Sequence, residues 1–244
     1  MVHSRVFTYP SVESCVAILG EGMAMILYLK YPMDCFNIHT HSMAGDLSQA
    51  IVSVNVNTLP IKNGIRLASV SIHPWYLSEE NVDAQWKALQ NSMKDPRVIA
   101  IGEAGLDKLK GPSTALQISV FRQEIDLSEQ LQLPMVIHCV RAFNELIQIR
   151  KECLPKQPWI IHGFRGKASI AQELLRHGCW LSFGSKFQEE ALRTVPLQRL
   201  FIETDESEES IEDIYLRIAQ TRGISLLELT EAIKKNVREV FFKG

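Results

Sequence analysis

A chain of 244 residues has room for one barrel-sized domain or two small ones. With 46% hydrophobic and 22% charged residues it has the composition of an ordinary soluble globular protein. A formal net charge of -2 argues against attraction of nucleic acid to the whole surface, although a local basic patch can still steer an anionic substrate.

Five cysteines, Cys15, Cys35, Cys139, Cys153 and Cys179, are odd in number and lack CxxC spacing. That excludes a zinc ribbon or a disulfide framework and points to a reducing, cytoplasmic compartment. Residues 15–29, CVAILGEGMAMILYL, form the most hydrophobic stretch. It is short for a membrane span, carries Glu21 near its middle and has no clear signal-peptide cleavage site, so no membrane partner is expected. Met33 is an alternative start, because an organised strand begins directly after it. The chain is therefore read as an N-terminal extension, residues 1–32, ahead of one barrel domain, residues 33–244. Two readings of the extension stay open: it belongs to the native protein, or translation starts at Met33.

From Phe36 onward short β-rich runs alternate with helical stretches, the pattern of an α/β fold with a parallel sheet. The runs are FNIHTH, IVSVNVN, ASVSIHP, VIAIGEAGLD, PMVIHCV, WIIHGF, CWLSFG and LFIETD. Eight is the number that closes a small parallel barrel, so a TIM-like (β/α) barrel is predicted. Only SMAGDLSQA and TLPIKNGIRL join the first three runs, too little for barrel helices, so the outer ring is reduced there. Residues 1–32 or a dimer partner would then cover the apolar wall. Later helices are legible. In residues 115–132, Val120, Phe121, Ile125, Leu127 and Leu131 form a stripe. In residues 168–177, Ile170, Leu174 and Leu175 share a face, with Gly178 at the helix end. Ile211, Ile214, Tyr215 and Ile218 precede Gly223. A Ser225–Glu228 capping box opens a last helix, with Leu229, Ile233, Val237 and Val240 buried.

Polar residues fall where apolar strands end. Side chains alternate faces along a strand, so Asn37, His39 and His41 share one face, and His-x-His aims two imidazoles the same way. Glu103, His138, His162 and Asp205 each close a further run. Of seven histidines, four sit at three strand ends. A lone strand histidine is more often an ordinary core residue, but this many ionisable groups in one buried mouth is destabilising unless they are paired or metal-bound. His39, His41, Glu103, His138, His162 and Asp205 are therefore the predicted ligands. They suit two divalent ions such as zinc, manganese or magnesium, with Glu103 between them. His73, in SIHPW, is assigned an outer role. Glu203, lying below Asp205, is expected to orient a ligand.

Basic residues follow the same strand ends: Lys108, Lys110, Arg141, Arg165, Lys167 and Lys186. Arg141 and Arg165, each three residues past a ligand histidine, are the predicted contacts to a phosphate-bearing substrate. The loop after the last run opposes them with Glu206, Glu208 and Glu209.

The marks HTH, SIHPW, VIAIGEAGLD, LPMVIHCV, IIHGFRGK, LSFG and ETDES, in this order, resemble the TatD-type metal-dependent hydrolases of the amidohydrolase superfamily. The resemblance runs from about Phe36 to the C-terminus. It implies a dinuclear metal site and hydrolysis of phosphoesters, often of single-stranded DNA from its 3′ end. It also implies one ion on His39, His41, Glu103 and Asp205, another on Glu103, His138 and His162, and Asp205 and Glu103 as catalytic residues. The reduced helices, IIHGFRGK and the continuation after ETDES depart from the commoner pattern. They leave the ligands intact and alter the substrate loops. An amide, lactone or other ester hydrolase, and a catalytically idle metal-binding barrel, are the alternatives.

Overall fold

The computed structural model describes residues 34–242 and, ahead of them, two strands, β1 (Cys15–Leu19) and β2 (Met23–Leu27). These two strands, both within the most hydrophobic stretch, pair antiparallel. The reading of residues 1–32 as a cover for the barrel otherwise lies outside the described residues.

All eight sequence-read runs are strands: β3 (Asn37–Thr40), β4 (Ala50–Asn55), β5 (Leu67–Ser71), β6 (Val98–Asp107), β7 (Met135–Val140), β8 (Trp159–Ile161), β9 (Trp180–Phe183) and β10 (Leu200–Ile202). Each pairs in parallel with its neighbour in chain order. Short runs rich in Val and Ile make such strands because a parallel sheet is covered on both faces. Ring closure between β10 and β3 relies on few backbone bonds, Asp205 N–H to His39 O at 3.1 Å and His41 N–H to Asp205 O at 3.2 Å. Side chains complete it. Asn37 Nδ2 donates to Thr204 Oγ1 at 2.9 Å, and Asn37 Oδ1 accepts from Thr204 N–H at 3.1 Å.

Seven α-helices are described: α1 (Val82–Ser92), α2 (Thr114–Leu131), α3 (Phe143–Cys153), α4 (Ala168–Arg176), α5 (Glu189–Thr194), α6 (Ile211–Arg222) and α7 (Leu226–Phe241). The first two crossovers carry only 3-10 turns at Leu47–Gln49 and Val56–Thr58, as their lengths require. At the seam between β10 and β3 the C-terminal helices reach the segment just ahead of β3: Tyr215 of α6 donates its hydroxyl to Phe36 O at 2.8 Å, and Lys234 of α7 pairs with Asp34 at 2.7 Å. Ser225 caps α7 by accepting from Glu228 N–H, and Gly223 ends α6 at φ 66°. One stripe residue is corrected. Leu131 is 42% exposed, because the last turn of α2 runs past the sheet before Gln132 turns the chain at φ 56°.

Helix α2 also holds a carboxyl in the core. Glu124 is 1% exposed and its Oε1 accepts from Ile72 N–H at 2.8 Å, one residue before His73. Burial pushes its pKa well above the usual carboxylate range. The folded state therefore favours the protonated form. This contribution to stability is complete below the unfolded value of about 4.3 and fades as pH rises toward the folded pKa. Glu124→Gln is expected to remove that decline, so its stability relative to the parent grows from about pH 4 toward neutrality. Urea unfolding at several pH values checks this, and parallel curves would contradict it.

Candidate metal centre

The C-terminal ends of β3, β5, β6, β7, β8 and β10 surround one carboxylate. Glu103, 5% exposed, lies inside β6 rather than at its end, which corrects the strand-end reading. The strand continues to Asp107, and its register against β7 shifts between Gly102 and Ala104. Glycine permits the close approach. A Cβ at Gly105, where φ is 141°, would stand 2.1 Å from the His138 carbonyl oxygen.

Glu103 presents its two oxygens to two groups of imidazoles. Oε2 lies 3.2 Å from His41 Nε2 and 3.5 Å from His39 Nε2. Oε1 lies 2.7 Å from His138 Nδ1, 2.7 Å from His162 Nε2 and 3.2 Å from His73 Nε2. Asp205 Oδ1 stands 3.8 Å from His39 Nε2 and 3.7 Å from His41 Nε2. Asp205 gets there by a left-handed backbone at φ 55°, beyond the end of β10, and not by strand alternation. All six sequence-predicted ligands thus converge.

Donor atoms lie within 4.8 Å of one another in four overlapping sets: His39 with Glu103 and His162, His39 with His41 and Asp205, His73 with Glu103 and His138, and His162 with Glu203 and Asp205. Sequence reasoning gave His73 only an outer role. Its ring instead enters the cluster, because Pro74–Tyr76 turns back in a 3-10 helix capped by His73 Nδ1, which frees Nε2 for Glu103. Glu203 is fully buried, and its Oε1 accepts from Gly163 N–H at 2.7 Å and faces His162 Nδ1 at 3.2 Å. Strand parity gave it the expected role of orienting a ligand, and it stands beside His162 while also belonging to one of the four donor sets.

Asp107 was given no role from sequence. It is 3% exposed, and its Oδ2 lies 3.0 Å from His138 Nε2 and accepts from Trp75 Nε1 at 2.6 Å. A proton on His138 Nε2, donated to Asp107, leaves Nδ1 turned toward Glu103. The available signal was its place two and four residues beyond Gly105 and Glu103, on the same strand face.

Protonation follows from these contacts. Burial raises the pKa of Glu103, but His162, then His138 and His39, outweigh it and hold the carboxyl well below its ordinary range. Burial opposes charge on His162, yet Glu103 and Glu203 prevail and lift it well above the usual histidine value. His41 is shifted upward too, Glu103 overcoming the effect of burial. At His73 burial wins and the pKa falls.

A divalent cation fits this donor set. His39 is fully buried with no hydrogen-bond partner on either ring nitrogen, a costly arrangement unless a cation takes an unpartnered nitrogen. Imidazoles with carboxylates suit zinc or manganese.

The basic residues divide. Arg165, 57% exposed, puts Nη2 3.8 Å from Asp205 Oδ2, at the rim of the cluster. Arg141 is exposed just past β7 and makes none of the contacts within the cluster. Lys108 is committed to Glu145 at 2.5 Å, so its charge is largely offset. Lys110 lies over the Trp75 ring, 3.5 Å from its centroid.

Residues 53–242 match the model of the family described as TatD related DNase. The chain belongs to that family. The match to the TatD-related DNases starts beyond His39 and His41, which join the cluster in space. A metal-dependent hydrolase of Buchnera aphidicola subsp. Baizongia pistaciae is 36% identical over 149 residues, 57% of this chain and 55% of that protein. A 3′-5′ ssDNA/RNA exonuclease TatD of Erwinia amylovora is 30% identical over 148 residues, 57% of each. A 3′-5′ RNA nuclease of Homo sapiens is 29% identical over 157 residues, 59% of this chain and 20% of that protein. The chain spans about half the length of the bacterial curated relatives it matches. The fold is that of a TatD homolog from Escherichia coli K12, with a TM-score of 0.71 and 19% identity over 87% of this chain and 100% of that one. No helix among the described residues is long and apolar enough to cross a membrane.

Proposed function

We propose that this TatD-related chain is a metal-dependent phosphodiesterase that shortens single-stranded nucleic acid from its 3′ end. One observation carries the proposal. The two oxygens of Glu103 face separate imidazole groups, His39 and His41 on one side and His73, His138 and His162 on the other. That arrangement fits a carboxylate shared by two cations, with Asp205 beside the first pair. The Erwinia and human relatives, a 3′-5′ ssDNA/RNA exonuclease and a 3′-5′ RNA nuclease, support a nucleic-acid substrate.

Divalent cations held here would lower the pKa of a water toward neutrality and offset charge on phosphoryl oxygens. The chain's own groups do the rest. Asp205, one quarter exposed, faces the open mouth and is placed to accept the proton of the attacking water. Asp107 and Glu203 fix the rings of His138 and His162. Arg165 extends its guanidinium over the same mouth, where it bonds the phosphoryl oxygens as their charge grows. The activity is assigned to residues 33–244.

The test is a metal-reconstituted assay with single-stranded DNA, a small phosphodiester and a carboxylic ester side by side. Hydrolysis of both phosphodiesters, with shortening from the 3′ end, is expected. Arg165→Ala should slow them roughly ten- to hundredfold with bound metal unchanged, and Arg165→Lys should restore only part, lacking the planar fork. Turnover of the carboxylic ester alone would replace the proposal with an ester or amide hydrolase.

A further inference from the structure

The missing helices leave something in their place. A cleft of about 510 Å³ runs from the centre over the ends of β4 and β5, lined by Glu103, His73 and Asp205 at one end. At the other end Asn55, Asn57, Thr58, Pro60 and Lys62 of the shortened second crossover form the wall. That volume is in the usual range for small-ligand sites.

Two large apolar side chains are exposed on the rim, Tyr76 at 52% and Met43 at 40%. Tyr76 is not a loose surface residue. Its carbonyl accepts from Asn81 Nδ2 at 3.1 Å and from Gln85 Nε2 at 3.0 Å. Gln85 is 3% exposed, and the same Nε2 donates to Asn57 Oδ1 at 3.1 Å, tying Tyr76 to the wall formed by the second crossover. The Tyr76 ring also packs 5.6 Å from His73 and 6.5 Å from Trp75. Within the cleft, Ser71 is 1% exposed and its hydroxyl has no partner, and Asn55 Nδ2 is buried without one. An aromatic face carried on an anchored backbone at the rim and a lysine along the wall are parts of a single-strand binding site, and the unpartnered groups inside leave hydrogen bonds for a ligand.

We propose that this cleft is a subsite for the second nucleotide from the cleaved end, its base stacked on Tyr76 and its phosphate paired with Lys62. The inference rests on the phosphodiesterase reading and extends it to how the strand is held. Charge sets the path. Glu206 lines the β10 side of the cleft and Glu208 stands beyond it, where they repel a polyanion, so the strand runs toward Lys62, while Glu209 is paired with Arg217 at 3.0 Å. Stacking is tolerant of base identity, so the subsite reads single-strandedness rather than sequence.

Kinetics on a short oligothymidylate and on thymidine 5′-(p-nitrophenyl phosphate), which has no second base, test this. Tyr76→Ala is expected to raise KM for the oligonucleotide about tenfold with kcat retained, and to affect the nucleoside ester far less. Tyr76→Phe keeps the face and should behave as the parent. Lys62→Ala should also raise the oligonucleotide KM and make it less sensitive to salt. An unchanged oligonucleotide KM in Tyr76→Ala, or equal rises for both substrates, overturns the subsite while leaving the phosphodiesterase reading intact. If neither substrate is cleaved, fluorescence anisotropy with labelled oligothymidylate in EDTA decides. Binding weakened by Tyr76→Ala upholds the subsite and sinks the reaction, and no binding by the parent sinks the subsite.

Discussion

Glu103→Gln is expected to strip bound metal and to slow phosphodiester hydrolysis by well over a hundredfold, with the barrel still folded. Loss of a group that merely orients a metal ligand typically costs about 10–100-fold. Glu103 is in contact with five imidazoles and belongs to two of the four candidate ligand sets, and the other two each contain a histidine that it touches. Glutamine keeps the shape and removes the charge. The histidines then lose the neighbour that raises His162 and His41. His138→Ala and His162→Ala should follow in the same direction, each removing a ring 2.7 Å from Glu103 Oε1. Elemental analysis after reconstitution, beside circular dichroism and turnover, measures all three. Native metal content and rate in Glu103→Gln would end the assignment of this cluster as the metal centre.

Gly105→Ala is expected to be among the most destabilising single exchanges in the barrel, by about 3 kcal/mol or more. Two effects combine. The added Cβ would meet the His138 carbonyl oxygen at 2.1 Å, which is backbone and cannot swing away. The position also sits at φ 141°, where a side chain is strained. For a chain of this size that is a fall in melting temperature of roughly 6–12 °C. Gly64→Ala separates the effects, because Gly64 has φ 91° but nothing within 4 Å of its Cβ. It should cost only the strain, about 1–3 kcal/mol. Equal melting temperatures for Gly105→Ala and the parent would show that β6 and β7 can move apart without cost. If they do part, His138 moves with them, and metal content should fall in the same variant.

Much of this protein is local and was legible in its residues. Eight short runs of largely apolar residues became eight strands, because an apolar run bounded by turn residues has one good use in a sheet covered on both faces. The Ser225 cap, the Gly223 stop and the buried stripe of α7 also follow from spacing alone. Helix α1 escaped because its buried face mixes Gln85 and Ser92 with Leu89, polar groups that only tertiary partners satisfy. The candidates for the cluster, His39, His41, Glu103, His138, His162 and Asp205, were likewise readable, since each stands at or just past the end of a short apolar run.

How those residues meet was decided by the tertiary structure. Strand parity put Glu103 at an end, but the register shift at Gly102 lets β6 run on to Asp107 and so brings in a residue given no role from sequence. Parity placed Asp205, yet a left-handed backbone delivers it. His73 entered the cluster through a turn whose direction its sequence leaves open. Lys108 left the set of free cations because Glu145, 37 residues away, lies beside it. Periodicity and capping depend on neighbours within a few residues, so one sequence states them. Register, chain approach and the pairing of charges depend on contacts between distant segments, which exist only once the barrel has closed.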